Sequence, residues 1–128
     1  MNDTFATVLN CMDGRLQVPV VLYLLDRFGV DHIDTITESG MVRFLSDLPD
    51  TPQCELTFNS LGISIKAHGS KQIAVVAHHG CAGNPIPDDE HQTQLEVAVE
   101  YVKRHFPQCE VLGLWVDSDW VVHEVFSV

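Results

Sequence analysis

The chain has 128 residues, of which 45% are hydrophobic and 20% charged, which is typical of one globular domain spanning residues 1–128. Eighteen acidic residues against seven Lys and Arg give a formal net charge of −11, which disfavours nucleic acid as a partner. Residues 1–4 lack a secretory pattern and no apolar run is long enough to span a membrane, so we expect a cytoplasmic protein without a membrane partner.

The first predicted element is a buried strand over roughly residues 5–11, where the chain is largely apolar. Residues 18–28 predict a helix. Pro19 would lie in its first turn, where proline is tolerated, and Gly29 just past its end, where glycine is a common stop. The alternating residues 32–37 then predict a second strand.

The middle of the chain is predicted to be irregular from Met41 to Cys54, because Pro49 and Pro52 lie in this stretch. A helix that ends at Gly69 is predicted next. Its apolar side chains and one serine recur at helical spacing: Leu56, Ser60, Leu61, Ile63, Ile65 and Ala67.

The second half of the chain continues the alternation of strand and helix. Residues 72–77 are almost all apolar, as expected for a strand covered on both faces. The acidic residues 88–90 suit the positive end of a helix dipole and predict the start of the next helix. Residues 110–116 predict a fourth strand, and a turn at 117–119 leads into an antiparallel strand over 120–128.

This order of elements predicts an α/β fold with helices on both faces of a mainly parallel sheet. We expect four parallel strands in the order 2-1-3-4 and an antiparallel edge strand at the C-terminus. Ligands of such sheets bind at the carboxyl ends of strands, where the strand order reverses. The reversal falls between the first and third strands, so residues 11–15 and 78–81, which end these strands, are expected to share one crevice.

These two motifs contain a candidate metal site. Two thiolates and one imidazole, from Cys11, Cys81 and His78, suit Zn²⁺ and leave a fourth position for water or substrate. His79 is the other candidate imidazole. Adjacent residues that leave a strand point apart, and the three-residue spacing to Cys81 favours His78 as the ligand.

Asp13 and Arg15 are the candidate catalytic residues. A Cys₂His zinc site has a formal charge near zero and acidifies its water less than a three-histidine site. Asp13 can help by accepting a hydrogen bond from that water, while Arg15 holds the carboxylate ionised through a bidentate pair. Zinc hydroxide attacking a small electrophile is then the expected reaction.

Each of these residues also has an ordinary structural interpretation. Asp13 alone would be a helix cap and Arg15 a surface charge, so the prediction depends on their occurrence together with the metal-binding types. Cys54 and Cys109 have no companion ligand at a convincing spacing. Disulfides are disfavoured in a domain of this size without an export signal.

The motifs resemble those of the β-class carbonic anhydrases. Residues 11–15 match that family's Cys-x-Asp-x-Arg, and residues 78–81 match its His-x-x-Cys. Residues 60–64 resemble the helix before the second motif, and residues 115–128 resemble the closing strand pair.

The resemblance implies zinc on Cys11, His78 and Cys81, an Asp13–Arg15 dyad, and reversible hydration of carbon dioxide to bicarbonate. It also implies a homodimer or higher oligomer with active sites near the subunit interface. An alternative state, in which Asp13 ligates zinc directly and closes the site, stays open.

The sequence departs from the family pattern at residues 37–40, which read Thr-Glu-Ser-Gly where the family tends to carry Arg-Asn-Ala-Gly. This places Glu38 near the crevice, and the segment after the second motif is shorter than usual. Two alternatives therefore stay open: hydrolysis of carbon disulfide or carbonyl sulfide, and a non-enzymatic zinc-binding member of the fold. A Cys-dependent phosphatase is disfavoured, because no loop of amides separates Cys11 from Arg15.

Overall fold

A computed structural model describes residues 3–47 and 51–128 of the chain. The strands are β1 (Phe5–Cys11), β2 (His32–Glu38), β3 (Gln72–His78), β4 (Glu110–Val116) and β5 (Val122–Ser127). The helices are α1 (Gly14–Phe28), α2 (Met41–Asp47), α3 (Pro52–His68) and α4 (Asp88–His105).

The five strands form one sheet in the order β2-β1-β3-β4-β5. β1 pairs in parallel with β2 and β3, β3 pairs in parallel with β4, and β5 pairs antiparallel with β4. The predicted α/β class, strand order and antiparallel edge are confirmed. The chain moves from β1 outward to β2 and then returns to the other side of β1, so the order reverses between β1 and β3.

Each face of the sheet carries its own apolar core. α1 covers one face with a buried stripe that recurs every four residues: Leu16, Val20, Leu24 and Phe28. Residues of α2, α3 and α4 pack on the other face. The prediction of helices on both faces is therefore confirmed. None of the helices within the described ranges is long and apolar enough to cross a bilayer.

The prediction of an irregular segment from Met41 to Cys54 is wrong at both of its ends. α2 occupies the first part, because Met41, Val42 and Leu45 turn toward the core and are buried. At the other end α3 begins at Pro52, where a missing N–H costs nothing, and the Thr51 hydroxyl caps the helix by accepting from the Cys54 amide. Residues 48–50, including Pro49, lie outside the described residues.

Two further boundaries differ from the sequence prediction. α1 begins at Gly14, four residues before the predicted start, because the Asp13 side chain accepts a hydrogen bond from the Arg15 amide and caps the helix. β5 begins at Val122, since the turn before it continues through Trp120.

Candidate metal centre

The carboxyl ends of β1 and β3 bring the two sequence motifs together. Cys11 is the last residue of β1, His78 is the last residue of β3, and Cys81 follows three residues later. Their ligand atoms all lie within 4.8 Å of one another, and all three residues are buried. His79 is not part of this cluster; its ring instead contacts the carboxylate of Asp88 at 2.9 Å.

The spacing of the two sulfurs fits a tetrahedral zinc ion. The Sγ atoms of Cys11 and Cys81 are 3.8 Å apart. Two Zn–S bonds of about 2.3 Å at a tetrahedral angle place their sulfurs about 3.8 Å apart. Thiolate and imidazole ligands are also the donor types that zinc favours. The residues present therefore fit zinc in both geometry and chemistry.

His78 presents one ring nitrogen for a metal bond. Its Nδ1 lies 2.8 Å from the backbone carbonyl oxygen of His79, which can only accept, so the proton resides on Nδ1. Nε2 is buried and has no hydrogen-bond partner in the part of the chain that the structure describes. Nε2 therefore keeps a lone pair for a metal while Nδ1 donates to a carbonyl, which is the usual arrangement of a metal-binding histidine.

The thiols of Cys11 and Cys81 are in direct contact and shift each other's pKa. Hydrogen bonding from Cys81 lowers the pKa of Cys11 to about 3, despite the opposing effect of burial, and raises the pKa of Cys81 in return. Backbone amides of Gly40 and Asp13 also favour the Cys11 thiolate. These contacts favour the thiolate of Cys11, which is the form that ligates zinc.

Asp13 combines the two roles that the sequence left as alternatives. Its Oδ1 accepts from the backbone amide and the Nε of Arg15, both at 3.0 Å. Its Oδ2 accepts from Nη2 of Arg15 at 2.6 Å. The same carboxylate therefore caps α1 and forms a bidentate pair. Hydrogen bonding from Arg15 lowers the pKa of Asp13 to about 2.

The turn between Cys11 and Asp13 is held by a residue that sequence reasoning missed. The side-chain amide of Gln17 donates to the carbonyl oxygens of both Cys11 and Asp13, each at 2.9 Å. The buried Asn10 accepts from the Cys11 amide at 2.9 Å. No spacing in the sequence indicated these contacts, because each depends on where the turn places a carbonyl or an amide.

A second group of contacts fixes the loop that carries Cys81. The side-chain amide of Asn84 donates to Oε1 of Gln94 in α4 at 2.8 Å. The side-chain amide of Gln94 in turn donates to the carboxylate of Asp47 in α2 at 3.1 Å. Gly83 packs directly on Ser39 and Gly40, which leave no room for a side chain. The loops after β2 and β3 therefore depend on each other for their positions.

A cavity of about 230 Å³ opens beside the cluster. It is lined by Cys11, Met12, Asp13, Ser39, Ala82 and Gly83. Glu38, which was expected near the crevice, pairs with Cys11 in the register of β1 and β2. The next residue, Ser39, lines the cavity. A larger cavity of about 390 Å³ on the α3 side contains none of the candidate ligands.

Trp120 is a further contact of the dyad that the sequence did not indicate. The guanidinium carbon of Arg15 lies 4.3 Å from the centre of the Trp120 ring. The sequence pattern assigned Trp120 to the last strand, whereas the structure places it in the turn before that strand. The sequence offers no signal for this contact, which joins residues more than a hundred positions apart.

Comparisons with known proteins agree with this geometry. Residues 1–126 match the family described as putative carbonic anhydrase. No curated protein sequence matches the chain.

Solved structures with the same fold include a tetrameric β-carbonic anhydrase from the filamentous ascomycete Sordaria macrospora. It has 12% identity and a TM-score of 0.68, with coverage of 100% of this chain and 84% of that chain. A β-carbonic anhydrase from Trichomonas vaginalis has 16% identity and a TM-score of 0.64, with coverage of 94% and 81%. The apo form of a carbon disulfide hydrolase has 11% identity and a TM-score of 0.65, with coverage of 96% and 79%. At such identities the likeness is one of fold.

Proposed function

This chain belongs to the putative carbonic anhydrase family, and we propose that it catalyses the reversible hydration of carbon dioxide to bicarbonate with zinc on Cys11, His78 and Cys81. The observation that carries the proposal is the sulfur pair at 3.8 Å beside the unpaired Nε2 of His78. When bound there, zinc would supply a Lewis acid that makes a nucleophile of water near neutral pH. The side chains of Asp13 and Arg15 would position that water for the reaction.

Asp13 would orient the attacking water. A carboxylate has about four lone-pair positions, and Arg15 fills three of them in Asp13, two on Oδ1 and one on Oδ2. The position left on Oδ2 can accept one O–H of a water in the adjoining cavity. Because Asp13 stays ionised, it accepts and does not donate, so a lone pair of that water is left to attack carbon.

Arg15 would hold Asp13 in this arrangement. Its two side-chain bonds fix both oxygens of the carboxylate, and its positive charge keeps the group ionised. Carbon dioxide is small and apolar, and the residues that line the cavity beside the cluster include Met12 and Ala82, which would offer it apolar contact. The reverse reaction, dehydration of bicarbonate, would use the same contacts.

Hydrolysis of carbon disulfide or carbonyl sulfide is the second candidate activity. Both are linear electrophiles with a central carbon, and the same oriented water would attack them. The fold likeness to a carbon disulfide hydrolase supports testing them on the same preparation. A zinc-binding protein without catalysis is the third outcome to be distinguished.

The decisive experiment compares zinc-loaded wild-type protein with Asp13→Asn and Asp13→Ala by stopped-flow carbon dioxide hydration. Asparagine caps helices about as well as aspartate, so Asp13→Asn should fold normally and retain zinc while losing at least about 10²-fold in kcat. Asp13→Ala should lose the same turnover and also about 1 kcal/mol of stability.

Asp26→Asn, which removes an equal charge from the exposed side of α1, is the matched control and should keep full turnover. Background activity in zinc-replete wild-type protein would instead favour the non-enzymatic alternative. Unchanged turnover in Asp13→Asn would remove Asp13 from the mechanism.

We also propose that the chain acts as a homodimer or larger assembly in a reducing compartment such as the cytoplasm. Met12 lines the cavity beside the cluster, Val18 and Leu22 lie in the first nine residues of α1, and each of these large apolar residues is more than 60% exposed. Adjacent sulfurs at 3.8 Å must stay reduced to bind metal. Light scattering on the zinc-loaded protein should give at least twice the chain mass, and a monomer mass would contradict the assembly.

A further inference from the structure

Trp120 adopts a backbone conformation that bulky residues avoid. Its φ is +61°, and it is the one non-glycine residue with positive φ within residues 3–47 and 51–128. In this region the Cβ of an L-residue crowds the backbone, so a tryptophan is found there when its surroundings impose it. Such conformations cluster at functional sites.

The surroundings that impose it are centred on one carboxylate. Oδ1 of Asp117 accepts from the amides of Asp119 at 2.9 Å and Val121 at 3.1 Å, and Oδ2 contacts Nε2 of His123 at 2.7 Å. The Trp120 amide donates to the Asp117 carbonyl at 3.0 Å. These bonds close the turn between β4 and β5 and fix the direction in which the indole projects.

The indole projects onto the guanidinium of Arg15, at 4.3 Å from the ring centre. The Arg15 side chain is 58% exposed, and both the Trp120 ring and Asp13 contact its guanidinium. A guanidinium that stacks on an aromatic face keeps its N–H groups free in its own plane. In this case Nε and Nη2 point to Asp13.

We propose that Trp120 is a positioning residue, which holds Arg15 in the one arrangement that fixes both oxygens of Asp13. An exposed ion pair alone orders a long side chain poorly, because the entropy of arginine opposes it. The Trp120 ring, 4.3 Å from the guanidinium carbon, limits the positions that the guanidinium can take and so favours the one in which it pairs with Asp13. The proposal rests on the proposed function, since it is the orientation of Asp13 that the reaction needs.

The test compares wild-type protein with Trp120→Phe, Trp120→Leu and Trp120→Gly. Phenylalanine keeps an aromatic face, leucine removes it, and glycine removes it while relieving the positive φ, so at least one variant without the ring should fold. The first measurement is ¹⁵N relaxation of Arg15 Nε in the metal-free protein. We expect an order parameter near about 0.8 in wild type and Trp120→Phe, falling below about 0.6 in the other two variants.

The second measurement is carbon dioxide hydration by the zinc-loaded variants. Trp120→Leu and Trp120→Gly should lose about 10-fold or more in kcat with little change in KM, and Trp120→Phe should recover most of it. An Arg15 order parameter that stays at the wild-type value in both variants without the ring would overturn the proposal. If the order parameter falls as expected but wild-type protein has no activity, the positioning role stands and the proposed function fails.

Discussion

At the scale of single residues, Asp13 shows how one carboxylate serves both the fold and the proposed reaction. Its Oδ1 caps α1 through the Arg15 amide, and both oxygens bind the Arg15 side chain. The helix and the dyad therefore share one anchor. The charge of Asp13 is held at this point by bonds that exist before any substrate arrives, which is the preorganisation that an oriented acceptor needs.

The low pKa of Asp13 predicts an acid-dependent stability. Its pKa of about 2 in the folded chain lies below the value of about 3.9 expected for an unfolded chain. The unfolded state therefore binds the proton first as pH falls. The stabilisation from the Arg15 pair is complete above about pH 4 and is lost as pH falls toward 2.

Urea unfolding of metal-free wild type, Asp13→Asn and Arg15→Gln over this range measures the effect. Both variants should be less stable than wild type near about pH 6, and the difference should shrink together for both as pH falls below about 4. A stability difference that does not change with pH would show that the pair contributes no charge-dependent stabilisation.

At the scale of elements, the site depends on two loops that approach each other closely. Gly40 has a φ of +68°, and a Cβ there would lie 2.8 Å from the carbonyl oxygen of Gly83. The Gly83 loop carries Cys81, and the Gly40 amide favours the Cys11 thiolate. A side chain at position 40 would therefore displace atoms that act on both sulfurs.

Gly40→Ala should destabilise the chain and weaken its zinc binding, whereas Gly69→Ala should affect stability alone. Gly69 has a similar φ of +71° but nothing within 4 Å of an added Cβ, so it bears only the backbone cost of about 1 kcal/mol. Gly40→Ala adds the clash with Gly83. Urea unfolding and competitive zinc titration measure the two effects, and equal zinc affinity in both variants would contradict the coupling of the loops.

The elements also show what the sequence could and could not predict. The strands and α1, α3 and α4 followed from apolar periodicity and glycine stops, and the strand order placed both motifs in one crevice. α2 was missed because it has only seven residues and lies next to a proline-containing stretch, so its helicity depends on three buried side chains.

Within the site, the sequence predicted the residues that carry metal-binding or acid-base chemistry, because their types and spacing are characteristic. It did not predict Gln17, Asn84 or Trp120. Gln17 acts through hydrogen bonds to backbone carbonyls, Asn84 through a bond to the side chain of Gln94, and Trp120 through its contact with Arg15. Any of several residue types in a linear sequence could supply such contacts. The geometry of the turn, rather than the residue type, makes them specific.

At the scale of the whole molecule, the cluster joins parts of the chain that are far apart in sequence. Cys11 and Cys81 are separated by 70 positions, and their strands are adjacent at the centre of the sheet. A metal bound to both sulfurs binds the folded chain more tightly than the unfolded one, so zinc should raise the free energy of unfolding. Cys109, equally buried in the core of the α2–α4 face, takes no part in the cluster.

Thermal unfolding with and without zinc should therefore separate Cys11→Ser from Cys109→Ser. Free zinc at about 100 times its dissociation constant adds about 2.7 kcal/mol, which is on the order of 10 °C in Tm for a domain of this size. Wild type and Cys109→Ser should show this shift and bind about one zinc per chain by elemental analysis. Cys11→Ser, which replaces a thiolate ligand by a weakly binding hydroxyl, should lose both. If zinc still raises the Tm of Cys11→Ser, the metal binds elsewhere in the chain. That result would contradict the proposed reaction, which needs zinc in the cluster beside the Asp13–Arg15 pair.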